Sequence, residues 1–155
     1  MVSNGTTWAG GDAKRGEYLA AAANCVSCHT AEAKDSAPYA GGRALKTPFG
    51  TFYGPNITRH NEQGIGRWNE SDFFRAMRFG TRPDGASYYP AFPYPSYTMA
   101  TDSDLVDLWA YLRTIPPNNT PSRKHDLGVL FSWRFPLRLW KWVFFTPGAF
   151  VSDLK

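Results

Sequence analysis

The sequence predicts a mainly α-helical domain, with three or more helices, long ordered loops between them and an aromatic C-terminal tail. Three observations predict it. Apolar residues recur at helical spacing in three segments, and each segment follows a residue type that caps helix N-termini. Twelve prolines and fourteen glycines favour ordered loops between those segments. Aromatic residues are closely spaced in the tail, and 155 residues suffice for one domain with a real core.

The first predicted helix covers residues 13–23, with Asp12 as its N-cap. Its interior face is expected to consist of Tyr18, Leu19, Ala22 and Ala23. The helix leads directly into a short segment with two cysteines. Residues 30–68 then show little periodicity and are rich in Gly, Pro and Thr. We expect a long wrapping loop there, with a short strand pair near 45–53.

Two further helices are predicted downstream. Asn69 and Asp72 resemble a capping box for a helix over 70–79, and Gly80 is a natural stop. Thr101 begins the last helix, which ends before the two prolines at 116–117. Its apolar residues follow the i, i+3, i+4, i+7 pattern: Leu105, Leu108, Trp109 and Leu112.

The two-cysteine segment reads C-x-x-C-H, the pattern that attaches c-type haem. The thiols of Cys25 and Cys28 can form thioether bonds to two vinyl groups of one porphyrin, and His29 can supply an axial nitrogen to the iron. A zinc site would need further strong ligands, but no third cysteine exists, and His60 and His125 lie far along the chain. A redox dithiol of the thioredoxin type would need a βαβ pattern, which is lacking. We therefore expect one covalent haem c.

Charge and cysteine use limit the partners and the compartment. The formal net charge is +4, without a Lys/Arg-rich run, so nucleic-acid binding is not expected and partners with an acidic patch are favoured. Both cysteines belong to the haem motif, and bacteria attach haem c outside the cytoplasmic membrane. We therefore expect a periplasmic protein.

The two ends of the chain are expected to lie outside the haem domain, which we place at residues 11–117. Residues 1–10 are predicted to be a flexible lead-in; they lack the features of a signal peptide, so a leader or anchor is expected to have been removed. No apolar run reaches the ~18 residues of a membrane span. For the extension at 118–155, three interpretations stay open: packing on the body, docking to another subunit, or contact with a membrane surface through residues 131–146.

Several specific stretches resemble one protein family. The chain is similar to the cytochrome c subunits of bacterial periplasmic alcohol and gluconate dehydrogenases, and to cytochromes that accompany molybdenum aldehyde or isoquinoline oxidoreductases. The resemblance extends from about residue 15 to residue 150. The stretches that carry it are residues 18–19, 25–31, 41–42, 47–51, 56–58, 64–68, 89–97 and 110–112.

The resemblance implies a class I cytochrome c fold and a role in electron transfer. Only one haem motif is present, so the chain is expected to be a single-haem relative of that family. The resemblance implies that it takes electrons from a periplasmic dehydrogenase subunit and passes them to a downstream acceptor of the respiratory chain, and an oligomer is compatible with it. Two alternatives stay open. One is a haem protein with an open iron site that acts as a small-ligand sensor or peroxidase, and the other is an anchoring subunit of a larger complex.

The sixth iron ligand has several candidates in this sequence. Class I cytochromes take it from the loop before the final helix, so the resemblance favours Met99. Met77, on the second helix, is the alternative and is otherwise expected to be a core residue that packs on the porphyrin. His60, His125 or an open position also remain candidates.

Other residues are candidates for contacts with the haem. Arginines of the wrapping loop could pair with propionates: Arg43, Arg59 and Arg67. Residues expected to line the pocket are Tyr53, Asn56, Trp68, Tyr94 and Tyr97. Phe92 is expected to pack near the distal face.

Overall fold

The computed structural model describes residues 10–128 and 135–151. Their helices and strands are, in chain order, α1 (Ala13–Ala22), α2 (Cys25–Cys28), β1 (Ala44–Thr47), β2 (Gly50–Tyr53), α3 (Glu70–Phe79), α4 (Tyr94–Tyr97), α5 (Asp102–Leu112), β3 (Asp126–Leu127) and α6 (Phe135–Phe144). The predicted mostly helical class is confirmed. Within these two ranges, no helix is long and apolar enough to cross a membrane. Nearly all of the predicted N-terminal lead-in, residues 1–9, lies outside them.

Local capping chemistry fixes the ends of α3 and α5. The Asn69 side chain accepts a hydrogen bond from the Asp72 backbone, and the Asp72 side chain accepts one in return, which is a full capping box. Thr101 and Asp104 form the same arrangement at α5. Gly80 ends α3 with φ at +55°, in the left-handed region that favours glycine. The predicted caps and stop are therefore confirmed.

A small antiparallel sheet stands beside the helices. β1 pairs with β2 across a tight turn, with Thr47 opposite Gly50, and this confirms the strand pair predicted near 45–53. β3, which was not predicted, adds to the other edge of β2. Gly50 has φ at +125°, and a Cβ there would overlap the Asp126 carbonyl oxygen. Residues beyond 117 thus contact the body. The domain limit at residue 117 stays a prediction.

The main core lies where α1 crosses α5. Its buried side chains come from α1, α3, α5 and the connecting loops: Ala20, Tyr39, Ile65, Phe73, Met77, Leu105, Leu108, Leu112 and Ile115. The crossing is close because a Cβ on Gly16 would overlap the Asp107 carbonyl oxygen. Gly16 and Ala20 are therefore the buried face of α1.

The interior face predicted for α1 was partly wrong. Tyr18 is 71% exposed, and Ala22 is exposed as well. The reason is that α1 approaches α5 closely at Gly16, so the small residues of α1 face α5. Tyr18 lies two positions from Gly16, on the opposite side of the helix.

An ionic cluster also joins α1 to α5. Arg15 donates hydrogen bonds to the carboxylates of Asp104 and Asp107, and Asp107 accepts a further one from the Asp12 backbone at 2.7 Å. The hydrogen bond from Arg15 first, and that from Asp12 second, hold the pKa of Asp107 below its ordinary value of 3.8.

This cluster makes stability depend on pH in the acid range. Because the folded pKa of Asp107 is lowered, its stabilising effect is complete above the unfolded value of 3.8 and is lost as the pH falls through the lower folded pKa. The Asp107→Asn variant is expected to melt several degrees below wild type at neutral pH, with a smaller difference at pH 2. Thermal melts of the haem-loaded protein across this range check it; equal differences at all pH values would contradict it.

The described part of the tail folds back towards the C-terminal end of α3. Lys141 donates to the Gly80 carbonyl at 3.2 Å, and the Phe145 ring packs against that of Tyr94. The other sides of α6 are exposed, with Trp142 at 83% and Phe144 at 73%. Subunit docking and membrane contact stay predictions for this exposed surface, and residues 131–134 of the segment proposed for it lie outside the described residues.

Candidate functional site

The two cysteines lie on one helical turn directly after α1. Asn24 has φ at +54°, so the chain changes direction before α2 begins. The single turn of α2 then separates Cys25 from Cys28, and the His29 backbone donates to the Cys25 carbonyl at 3.1 Å. Both thiols are free, and each cysteine is partly exposed. The turn therefore presents both sulfurs and the following imidazole within one compact segment.

The hydrogen bond of His29 fixes which ring nitrogen can bind a metal. Its Nδ1 lies 2.7 Å from the Pro55 carbonyl oxygen. Since a carbonyl can only accept, Nδ1 carries the proton and Nε2 keeps its lone pair. Burial lowers the pKa of His29, which favours the neutral imidazole. This is the second-sphere arrangement that orients a ligating histidine.

Two glycines allow the wrapping loop to approach this segment closely. The Gly41 backbone donates to the His29 carbonyl at 2.7 Å. Gly41 has φ at +80°, a conformation that L side chains rarely adopt. A Cβ on Gly54 would overlap the Cys28 carbonyl oxygen. The loop therefore depends on glycine to bring Pro55 within reach of His29.

Two aromatic side chains, Phe92 and Tyr97, pack against the same core as Cys25. The Tyr97 hydroxyl donates to the Ala23 carbonyl at 3.3 Å, and the rings of Phe92 and Tyr97 are 5.6 Å apart. Phe92, Tyr97 and Cys25 all pack against the core. Burial first, and then the nearby thiols, raise the pKa of Tyr97 to about 12. The structure thus brings Tyr97 close to the cysteines, and Phe92 contacts Tyr97.

Tyr39 is a residue that the sequence interpretation missed. It is buried in the core, and its hydroxyl lies 3.3 Å from that of Tyr111. The Tyr39 backbone donates to the Thr30 hydroxyl at 3.1 Å, so Tyr39 lies beside the attachment segment at residues 25–29. Its φ of +63° is unusual for a residue other than glycine. A tyrosine within an irregular loop gives no periodic signal that could have identified it.

The amide of Asn56 is fully engaged by the protein. Its Nδ2 donates to the carbonyls of Asn118 and Thr120, both at 2.9 Å, while its Oδ1 accepts from Thr58. Asn56 is 2% exposed and so ties the wrapping loop to the segment after α5. Trp68 packs partly buried against the core. Haem contacts by Asn56 and Trp68 stay predictions.

The candidate propionate arginines have protein partners. Arg43 pairs with Glu32 at 2.9 Å, and Arg67 lies 3.9 Å from Glu62. Arg59 donates to the Ile115 carbonyl at 3.1 Å. Their proposed roles towards a propionate stay predictions.

Of the remaining pocket candidates, Tyr53 and Tyr94 are both buried, and within the described ranges the Tyr94 hydroxyl has no hydrogen-bond partner.

The two methionine candidates differ in their surroundings. Met77 is 6% exposed and belongs to the core, against which Cys25 also packs. Met99 is 49% exposed and lies in the turn between α4 and α5.

Both histidine candidates accept hydrogen bonds from backbone N–H groups at their Nδ1 atoms. His60 accepts there from the backbones of Glu62 and Gln63, and His125 accepts from the Tyr53 backbone at 3.1 Å. Ligation by either stays a prediction, as does an open position.

The attachment segment fits a covalent haem c. Two unpaired thiols one helical turn apart, followed by an imidazole of fixed tautomer, are the donor set that this group requires. Across residues 10–128 and 135–151, no group of three or more His, Cys, Asp or Glu side chains could hold a metal ion. The described part of the chain therefore offers no zinc cluster around Cys25 and Cys28.

Comparison with known proteins gives a family and several relatives. The model of the family described as "Cytochrome c" matches residues 13–116. The gluconate 2-dehydrogenase cytochrome c subunit of Pantoea cypripedii is 42% identical over 143 residues, which cover 92% of this chain and 31% of that protein. The alcohol dehydrogenase (quinone) cytochrome c subunit of Gluconobacter oxydans (strain 621H) is 41% identical over 140 residues, or 88% of this chain and 29% of that protein.

A third relative has a name that states its haem content. The "Diheme cytochrome c-type" protein of Cereibacter sphaeroides is 43% identical over 145 residues, which cover 92% of this chain and 49% of that protein. The chain thus spans about a third of the length of the two dehydrogenase subunits and about half of the third relative. The relatives confirm the resemblance drawn from the sequence motifs.

Proposed function

The chain belongs to the cytochrome c family, and we propose that it is a single-haem electron carrier that serves a dehydrogenase. The family and its relatives support electron transfer rather than catalysis. The observation that carries the proposal is the attachment segment, where two free thiols adjoin an imidazole held by Pro55 at 2.7 Å. The sequence contains one such motif, which supports a single haem.

The protein's own residues would hold the group in three ways. Cys25 and Cys28 would form the thioether bonds, and His29 would offer Nε2 to the iron. Haem c would supply one-electron cycling between ferrous and ferric iron. Because Pro55 holds the proton on Nδ1, His29 needs no tautomer change to act as a ligand. Phe92 and Tyr97 would add apolar surface beside the thioethers.

Met99 is the sixth ligand that we propose. Its side chain is half exposed and is not committed to the core, while the buried Met77 packs among core residues. Moving Met77 out of the core would leave a cavity, at a cost of about 2–5 kcal/mol for a side chain of this size. Met99 also lies before the last helix of the domain, where the family resemblance places this ligand.

The Met99→Ala variant tests this assignment together with the electron-carrier function. Wild type is expected to show low-spin spectra in both oxidation states, with the weak charge-transfer band of a methionine bound to ferric iron. The variant should lose that band, and its reduction potential should fall by on the order of 0.1 V, within the ~0.8 V range set by axial ligands. Optical spectra and a redox titration of the haem-loaded protein measure both.

A Met77→Leu variant is the matched control, because leucine keeps most of the core volume. It should retain the band and the potential. If Met77→Leu loses the band and Met99→Ala keeps it, Met77 is the ligand. If wild type is high-spin and binds carbon monoxide rapidly when reduced, the open-site sensor or peroxidase becomes the better description.

We further propose a periplasmic site of action, with a dehydrogenase subunit as electron donor and a respiratory-chain component as acceptor. The names of the relatives support the donor class, and the attachment chemistry supports the compartment. The net charge of +4 favours a partner with an acidic face. Reduction of the purified cytochrome by a dehydrogenase should then slow as the salt concentration rises.

A further inference from the structure

The tail is attached to the body at the junction of α3 and α4. Lys141 donates to the carbonyls of Phe79 and Gly80, the latter at 3.2 Å, and lies over the Tyr94 ring at 5.2 Å. The Phe145 ring meets that of Tyr94 edge to face, with centroids 5.0 Å apart. Tyr94 is fully buried, so the chain at the end of α6 packs against a buried side chain of the body.

Beyond α6, the tail bonds directly to the segment that carries Met99. The Gly148 backbone donates to the Thr98 hydroxyl at 3.0 Å, and the Phe150 backbone donates to the Met99 carbonyl at 3.0 Å. From α3, Arg78 donates to the Thr98 carbonyl. The tail and α3 thus hold the backbone of two adjacent residues.

Packing alone fixes Met99 poorly. Its side chain is 49% exposed, in contrast to the buried Thr98 before it. A ligand on a short turn is only as well placed as the turn that carries it. Here the tail contributes one hydrogen bond to the Met99 backbone, from Phe150, and one to the Thr98 side chain, from Gly148.

We propose that residues 145–150 of the tail position Met99 as the sixth iron ligand and thereby set the reduction potential. The inference rests on the proposed function, because it needs Met99 to bind the iron. Methionine ligation favours a higher potential. Loosening the Thr98–Met99 backbone therefore weakens the bond to iron and lowers the potential.

Two adjacent phenylalanines at the C-terminal end of α6 provide the first test. Phe145 contacts Tyr94, whereas Phe144 is 73% exposed and its one described ring contact is with Trp140 of the same helix. Phe145→Ala is expected to weaken the methionine band, lower the potential and speed carbon monoxide binding to the reduced protein. Phe144→Ala should leave all three unchanged.

A second pair avoids any large loss of packing. Thr98→Val removes the hydroxyl that accepts from Gly148 but keeps the side-chain shape, while Thr98→Ser keeps the acceptor. Thr98→Val should raise the fraction of protein with the methionine detached about fivefold, equivalent to about 1 kcal/mol for one net hydrogen bond. The rate of carbon monoxide binding reports this fraction. The separate Thr98→Ser variant keeps the hydroxyl and should bind carbon monoxide at the wild-type rate.

The outcomes separate this inference from the function on which it rests. If Met99→Ala loses the band but Thr98→Val and Phe145→Ala behave like wild type, the inference is overturned and the electron carrier stands. If wild type cycles reversibly without a Met99-dependent band, the positioning role also falls while electron transfer survives. If wild type holds no redox-active haem, both are rejected. Should Phe145→Ala fail to fold, the Thr98 pair decides alone.

Discussion

Replacing both Cys25 and Cys28 by serine is expected to abolish covalent haem attachment. Serine cannot form the thioether bonds, and His29 alone would hold the group only by its bond to iron. The haem should then separate from the polypeptide on denaturation. Haem-dependent staining of a denaturing gel, together with the absorption of the pyridine haemochrome, measures the loss.

Single replacements refine this result. Cys25→Ser or Cys28→Ser alone should leave one thioether and one intact vinyl group, which moves the pyridine haemochrome band to longer wavelength. Val26→Ala, within the same turn but exposed, is the control and should attach haem like wild type. Covalent haem in the double variant would contradict the assignment of the attachment site.

Gly54→Ala is expected to have the second largest effect. The new Cβ would overlap the Cys28 carbonyl oxygen, so the wrapping loop or the attachment turn must shift. Overpacking of this kind costs about 1–3 kcal/mol of folding free energy. The shift should also move Pro55 away from His29 and reduce the yield of haem-loaded protein. Thermal melts and haem content per chain measure the two effects.

Gly148→Ala is a suitable control for Gly54→Ala. No atom lies within 4 Å of a Cβ at Gly148, and its backbone donor is retained. The control should melt within about 2 °C of wild type, since surface substitutions cost within ~0.5 kcal/mol. Equal behaviour of the two variants would mean that the loop does not need glycine at position 54.

Local chemistry explains why much of the helical framework could be predicted. The caps at Asn69 and Thr101 and the stop at Gly80 depend on residues within one turn, so the sequence specifies them directly. The C-x-x-C-H segment is equally local, because its three candidate haem-binding residues occupy one turn and its end. In these places neighbouring residues alone decide the geometry.

Contacts between distant parts of the chain decided the features that could not be predicted, namely the buried face of α1 and the strand β3. Tyr18 was predicted to be interior because α1 was judged on apolar periodicity, yet the close approach of Gly16 to α5 sets which face is buried. β3 forms because it pairs with the free edge of β2, which lies about 75 residues earlier in the sequence. A strand of two residues has no alternating pattern of its own from which it could be predicted.

Residue types at short, fixed spacing were enough to predict the C-x-x-C-H motif, the capped helices and the family. The folded chain alone shows that Pro55 orients His29, that Tyr39 and Tyr97 lie beside the attachment segment, and that the tail holds the Met99 turn. These contacts join residues 9 to 74 positions apart, and hydrogen bonds between such segments leave no periodic signal along the chain.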